Sequence, residues 1–320
     1  MKTIRSEVLG FCSGVSRAIK SALDALGAEG GGQKPKKIYS LGPLIHNQIA
    51  LDQLAQKGLK ILSENQIDQL DQDSLVIVRA HGVSPLVLDK IKAKGAQIVD
   101  ATCPRVALSQ RRAAEFSAKG MFVILTGDKG HAEVKAVEGS ATATDGKPKT
   151  GAAIDGKPKT AGAENAGKPK NAGRFVLVQN VDEARALAVL PQMENNAVLL
   201  SQTTFSPKEY KEISEILCAK IKGLQVFDTI CPATGHRQKA LVDLAKKVDA
   251  LVVVGGKKSA NSERLYELAK SLCAASYFVE SADDLPKDFG DAKVVGITAG
   301  ASSPDFVIDQ VEKSIEALNV

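Results

Sequence analysis

The chain has 320 residues, 44% hydrophobic and 25% charged; it exceeds the roughly 250–300 residues at which one core stops growing, so two or three domains are expected. No run of ~18 apolar residues suggests a membrane span, and the opening Met1 to Gly10 carries Glu7 and lacks a long apolar stretch, so a cytoplasmic protein with no membrane partner is expected. The formal charge is +5, but residues 140–173 hold six Lys against three acids and aromatics are only 4%, which argues against a nucleic-acid partner.

Residues 3–9 read as a strand, and Val15, Ile19, Ala22, Leu23 and Leu26 recur with the helical period. After Gly30, Gly31 and Gly32, Lys37 to Leu41 begins a second strand, residues 42–47 form its exit loop, and Gln48 to Lys57 reads as a helix stopped by Gly58. The unit recurs with strand Leu75 to Val78, exit loop Arg79 to Pro85 and helix Leu86 to Lys94. Later strands are expected at Phe122 to Leu125, Phe175 to Val178, Ala197 to Leu200, Leu251 to Val254 and Val294 to Thr298. Strand, polar loop and helix alternate from end to end, the pattern of parallel sheets.

Two segments are related at an offset of 128 residues: Ile98-Val-Asp-Ala-Thr-Cys103-Pro104 and Val226-Phe-Asp-Thr-Ile-Cys231-Pro232, each followed by a helix and an apolar strand. The Cys12 strand-helix unit reads as a diverged third copy. Three similar lobes follow, at 1–102, 103–227 and 228–320, each giving one cysteine from a strand end. In open α/β sheets that edge is where ligands bind. Residues 140–173, with their repeated Gly-Lys-Pro-Lys segments, interrupt the plan and read as a disordered surface insertion.

Five cysteines without a secretory signal favour metal-binding or catalytic thiols over a disulfide framework. Pro104 and Pro232 follow Cys103 and Cys231 just inside a helix start, so those thiols sit at the positive end of a helix dipole, a place that favours an anionic ligand atom. Cys273 continues the stripe Leu265, Leu268, Ala269 and Leu272, Cys218 adjoins Ile213, Ile216, Leu217 and Ile221, and both read as packing residues. Three thiolates serve zinc together with a histidine, or an iron–sulfur cluster with one iron left open; sequence pattern alone leaves both. His46, His81 and His131 fall in strand-exit loops, and with Ser259, Asn261 and Ser302 they make a donor set suited to a phosphate or diphosphate. Glu133, in the His131 loop, is the acid placed for proton transfer. No Gly-x-Gly-x-x-Gly opens a helix and no P-loop is present, so bound nicotinamide or ATP is not expected.

Gly10-Phe-Cys12-Ser-Gly-Val15, Ala80-His81-Gly-Val-Ser84, Asp100-Ala-Thr-Cys103-Pro104, His131-Ala-Glu133-Val134, Gln202-Thr203-Thr204, Cys231 with Ala233-Thr234, and Thr298 to Asp305 resemble the 4-hydroxy-3-methylbut-2-enyl diphosphate reductase (LytB/IspH) family. The resemblance covers nearly the whole chain outside 140–173. It implies three α/β lobes with mainly parallel sheets in pseudo-threefold arrangement around one central 4Fe-4S cluster. By motif, Cys12, Cys103 and Cys231 are its ligands and the substrate oxygen takes the open iron. His46, His81, Ser259, Asn261 and Ser302 hold the diphosphate with His131 nearby, and Glu133, helped by Thr203, supplies the proton. The implied reaction is the reductive dehydroxylation that ends the non-mevalonate isoprenoid route, with electrons from an external ferredoxin- or flavodoxin-type donor. The family pattern has Pro at Ala132, Ser at Ala260 and Asn at His236. Competing readings are a non-redox 4Fe-4S dehydratase, a quinolinate-synthase-like enzyme and a non-enzymatic metal-dependent sensor.

Overall fold

A computed structural model describes residues 1–27, 37–143 and 174–318. Gly30 to Gly32 and all but the first four residues of the expected insertion 140–173 lie outside the described residues. Ser140 to Thr142, expected within that insertion, instead form the last turn of a helix, because Ser140 and Ala141 are buried and are held by Gln110, which donates to Ser140 Oγ, and Ser117, which donates to Ala141 O, on the preceding helix.

One compact unit runs from Met1 to Ser63 and from Asp73 to Ala80, and takes up the chain again from Cys231. It opens with β1 (Lys2–Arg5), α1 (Ser13–Gly27), β2 (Lys37–Leu41), α2 (Gln48–Gln56), β3 (Lys60–Leu62) and β4 (Ser74–Val78). The first strand ends at Arg5 rather than at residue 9; the Ser6 N–H makes the last bond of that edge, to Ile297 O at 2.8 Å. β2 pairs in parallel with β3 on one side, Tyr39 opposite Lys60, and with β4 on the other, Ile38 opposite Leu75.

The second unit comprises Glu64–Gln72 and His81–Ile230. It contains α3 (Pro85–Ala93), β5 (Gln97–Asp100), α4 (Pro104–Ala118), β6 (Phe122–Thr126), α5 (Ala132–Thr142), β7 (Phe175–Val178), α6 (Val181–Ala186), β8 (Ala197–Ser201), α7 (Pro207–Lys220) and β9 (Gln225–Val226). Its parallel sheet has the order β7-β6-β8-β9. β6 and β8 are buried on both faces, which is why they read as unbroken apolar runs. Ile124 and Leu199 pack towards Ile213 and Leu217 of α7, and Val123, Leu125 and Leu200 towards Val134 and Val137 of α5. Each such side chain contributes about 1.5–3 kcal/mol by leaving water.

The first unit resumes with α8 (Pro232–Ala245), β10 (Ala250–Val254), α9 (Ala260–Leu272), β11 (Ser276–Val279), β12 (Val294–Ala299) and α10 (Asp305–Ala317). Its second parallel sheet has the order β1-β12-β10-β11. The expected lobe boundaries 1–102 and 228–320 give β1 to the first lobe, yet Thr3 pairs with Val295 and Arg5 with Ile297 of β12. Ile4 explains the choice, since it packs with Leu244, Leu251 and Leu265 under this sheet. Even-numbered β10 residues Val252 and Val254 face Val307 and Val311 of α10, while Leu251 and Val253 face α8 and α9. Three parallel sheets with flanking helices are therefore present, and their strand ends open towards helix N-termini.

Candidate active site

Each of the three singled-out cysteines precedes the first turn of a helix. The Cys12 carbonyl accepts from the Ser16 N–H at 2.9 Å and its own N–H donates to Ala301 O at 3.1 Å, tying the start of α1 to the β12 exit loop. Cys103 and Cys231 are the N-caps of α4 and α8, each followed by proline, and neither thiol bonds to its own helix. Both are set by the same local turn: Asp100 Oδ1 accepts from Thr102 N at 2.9 Å and Asp228 Oδ1 from Ile230 N at 3.0 Å. None of the five cysteines is in a disulfide. A set of soft thiol donors at helix N-termini fits an iron–sulfur or zinc centre.

In the first unit, Cys12 and Cys231 share a neighbour. Arg237, on α8, is 2% exposed; its Nη1 donates to Ala299 O at 2.8 Å and its Nη2 to Gly10 O at 3.0 Å. Burial lowers the Arg237 pKa, and the charges of Cys12 and Cys231 oppose that shift. Gly10 turns the chain ahead of Cys12 with φ at 75°, a conformation that L side chains rarely adopt.

The same unit gathers His46, Ser259, Asn261 and Ser302. Ser302 Oγ donates to His46 O at 3.2 Å, and Gly256 lies so close that a Cβ there would overlap the His46 carbonyl oxygen. Ser259 is the N-cap of α9 and its Oγ accepts from Ser262 N. Asn261 stands in the first turn of α9; its Nδ2 is buried with no hydrogen-bond partner among the described residues. An orphaned amide donor in a helix first turn suits an anionic acceptor. His46 is held below its ordinary pKa by burial first, then by Arg79 and Lys258.

In the second unit the His81 and His131 rings meet edge to face, centroids 5.3 Å apart. His131 is the N-cap of α5, and its Nδ1 accepts from the Glu133 N–H at 3.2 Å. That bond leaves Nε2 as the protonated nitrogen of the neutral ring, a donor. The Glu133 carboxyl is 1% exposed. Its Oε1 accepts from Thr203 N at 2.7 Å and its Oε2 from Thr203 Oγ1 at 2.7 Å. Gln202 braces the loop, accepting from Asp128 N at 2.8 Å and donating to Asp128 Oδ2 and Thr204 Oγ1 at 2.9 Å.

The family model described as LytB protein matches residues 3–316. The chain belongs to the LytB family. It is similar to the 4-hydroxy-3-methylbut-2-enyl diphosphate reductase of Treponema denticola, 40% identical over 97% of this chain and 98% of the relative. The reductase of that name from Thermoanaerobacter sp. is 36% identical over 99% and 98%. Among solved structures, that of (E)-4-hydroxy-3-methyl-but-2-enyl diphosphate reductase, named as the terminal enzyme of the non-mevalonate pathway, superposes with a TM-score of 0.64 at 30% identity, covering 99% of this chain and 100% of that one. The structure of the E-1-hydroxy-2-methyl-but-2-enyl-4-diphosphate reductase from Plasmodium falciparum gives a TM-score of 0.80 over 100% of this chain and 88% of that one; at 23% identity it supports the fold.

In this LytB chain the packing role expected for Cys218 is not observed: it is exposed, because it follows Leu217 by one residue and turns off the buried stripe of α7. Cys273 packs as expected, beside Leu268 and Phe278. Two residues near the LytB motifs escaped sequence reasoning. Arg237 had a readable signal, a cation on the buried stripe Thr234, Arg237, Leu241 and Leu244 of α8. Gln110 had none: its Nε2 lies 2.8 Å from Val83 O, 3.1 Å from Ser140 Oγ and 3.3 Å from Ala136 O, partners 26–30 residues away.

Proposed function

We propose that this chain converts (E)-4-hydroxy-3-methylbut-2-enyl diphosphate into isopentenyl and dimethylallyl diphosphate, the terminal step of the non-mevalonate isoprenoid route. The reaction takes two electrons and two protons, breaks the terminal C–O bond and releases water. Cys12, Cys103 and Cys231 would hold a 4Fe-4S cluster, which when bound supplies the electrons and Lewis acidity; an external ferredoxin- or flavodoxin-type donor replenishes them.

The chain's own residues bind the substrate and move the proton. In the first unit His46, Ser259, Asn261 and Ser302 are the proposed diphosphate ligands. Asn261 Nδ2 carries the strongest support, since among the described residues it has no hydrogen-bond partner. In the second unit His81 and His131 are proposed to add donors. Glu133 is the proton source, and the observation that carries this reading is its burial on Thr203. With the carboxyl protonated the Glu133–Thr203 hydrogen bond reverses, Oε2–H donating to Thr203 Oγ1; Thr203 then takes that proton as it gives its own to the departing hydroxyl, so the leaving group departs as water rather than hydroxide. The backbone N–H of Thr203 stays on Oε1 and keeps the carboxyl aligned. Burial excludes water from this relay.

Glu133→Gln keeps the side-chain shape and both neighbours but removes the acid. Turnover with a reduced low-potential donor is expected to fall by about 10²–10⁴-fold with substrate affinity near wild type. A wild-type protein that yields no isoprenoid diphosphate under these conditions, or a Glu133→Gln protein that turns over normally, would sink the reading.

A further inference from the structure

The buried side of α8 carries one charge. Thr234, Ala240, Leu241 and Leu244 line it with Arg237 among them. Removing a guanidinium from water costs several kcal/mol unless something compensates. The two hydrogen bonds of Arg237, to Ala299 O and Gly10 O, are to neutral carbonyls. A neutral amide of similar reach would serve two carbonyls at a lower desolvation cost, so the positive charge itself needs a counterpart. The counterparts that favour its charged form are Cys12 and Cys231, which precede the first turns of α1 and α8. The hydrogen bonds also place the charge: Gly10 is two residues ahead of Cys12, and Ala299 is two residues ahead of Ala301, whose carbonyl accepts the Cys12 N–H.

We propose that Arg237 is a positioning residue for the iron–sulfur centre, holding a buried positive charge beside Cys12 and Cys231 that raises the centre's reduction potential. The proposal rests on the cofactor reading above. A cluster bound by three thiolates is anionic and becomes more so on taking an electron. A fixed cation in a site of low dielectric stabilises the reduced form more than the oxidised one. The loss of that cation makes the electron harder to accept. The two hydrogen bonds of Arg237 end on backbone carbonyls rather than on a carboxylate, so they leave its charge to act on the thiolates.

The test uses anaerobically purified holoprotein with Arg237→Gln and Arg237→Lys, reading iron and sulfide content and then the midpoint potential by mediated titration followed in the visible and EPR spectra. The Gln variant, which keeps hydrogen-bond donors but not charge, is expected to titrate at a more negative potential than wild type, and the Lys variant to stay closer to wild type. Loss of the cluster from the Gln variant but not from the Lys variant supports the same conclusion, because retention then follows the charge. A Gln variant at the wild-type potential, equal shifts in both variants, or loss of the cluster from both would overturn it, since lost hydrogen bonds alone would then account for the effect. Wild-type protein without acid-labile sulfide would instead overturn the cofactor reading, and this proposal with it, a result separable from the others because it appears before any substitution.

Discussion

At His46, burial and the charges of Arg79 and Lys258 all favour the neutral ring, so its pKa in the folded protein lies below the ordinary 6.5. The sign of the consequence is fixed. Above 6.5 the ring is neutral in both folded and unfolded chains; below it the unfolded chain takes up a proton that the folded one refuses, and stability is lost as the pH falls from 6.5 towards the depressed value. Denaturant unfolding of the ligand-free protein between about pH 5.5 and 7.5 is expected to show this loss, and His46→Gln to flatten it over that window. Equal slopes in the two proteins would remove His46 as the source. An anionic diphosphate beside the ring opposes the same shift, so inorganic diphosphate should narrow the difference. Glu133 works at the same scale by a different device: its two oxygens are each held by one atom of Thr203, which gives the carboxyl a single orientation.

At the scale of elements, helix N-termini and strand ends do the positioning. α4, capped by Cys103, carries Gln110 two turns on, where the amide reaches the loop after His81, through Val83 O, and α5, through Ala136 O and Ser140 Oγ. One side chain thus joins the cysteine helix to the two segments that present His81 and Glu133. Gln110→Ala leaves Val83 O buried without this donor and is expected to cost about 1–3 kcal/mol in denaturant unfolding. The kcat is expected to fall as well, since α5 then aims Glu133 less well. A variant with unchanged stability and unchanged kcat would show that the amide holds nothing. The elements themselves were largely legible in advance, because β6, β8 and β10 are buried on both faces and so are apolar throughout, while α1, α9 and α10 show one apolar face. The ends were less legible. β1 stops at Arg5 and β9 is only Gln225–Val226: the Ser6 and Phe227 N–H groups each make one last bond to the neighbouring strand, to Ile297 O and Leu199 O, and the paired register ends there.

At the scale of the whole molecule, the three cysteines divide between two compact units: Cys12 and Cys231 in one, Cys103 in the other. If all three are ligands, Cys103→Ser must lose the cluster even though it alters only the second unit. Iron and sulfide analysis is expected to show that loss, while Cys218→Ser and Cys273→Ser, whose thiols lie on α7 and at the end of α9, retain the wild-type content. Equal iron in all three variants would contradict the ligand assignment.

The sequence by itself determined the alternation of strands and helices, the parallel class, the matched segments that end in Cys103 and Cys231, and the family. Those features are written in short-range periodicity, turn chemistry and local motifs, which survive without knowledge of the partner. Only the tertiary structure decided that β1 joins β12, that Thr203 closes on Glu133 from 70 residues away, and that Arg237 sits between Gly10 and Ala299. Each of these is a contact between segments far apart in the chain, and its energy comes from burial shared by both partners, so no local spacing records it.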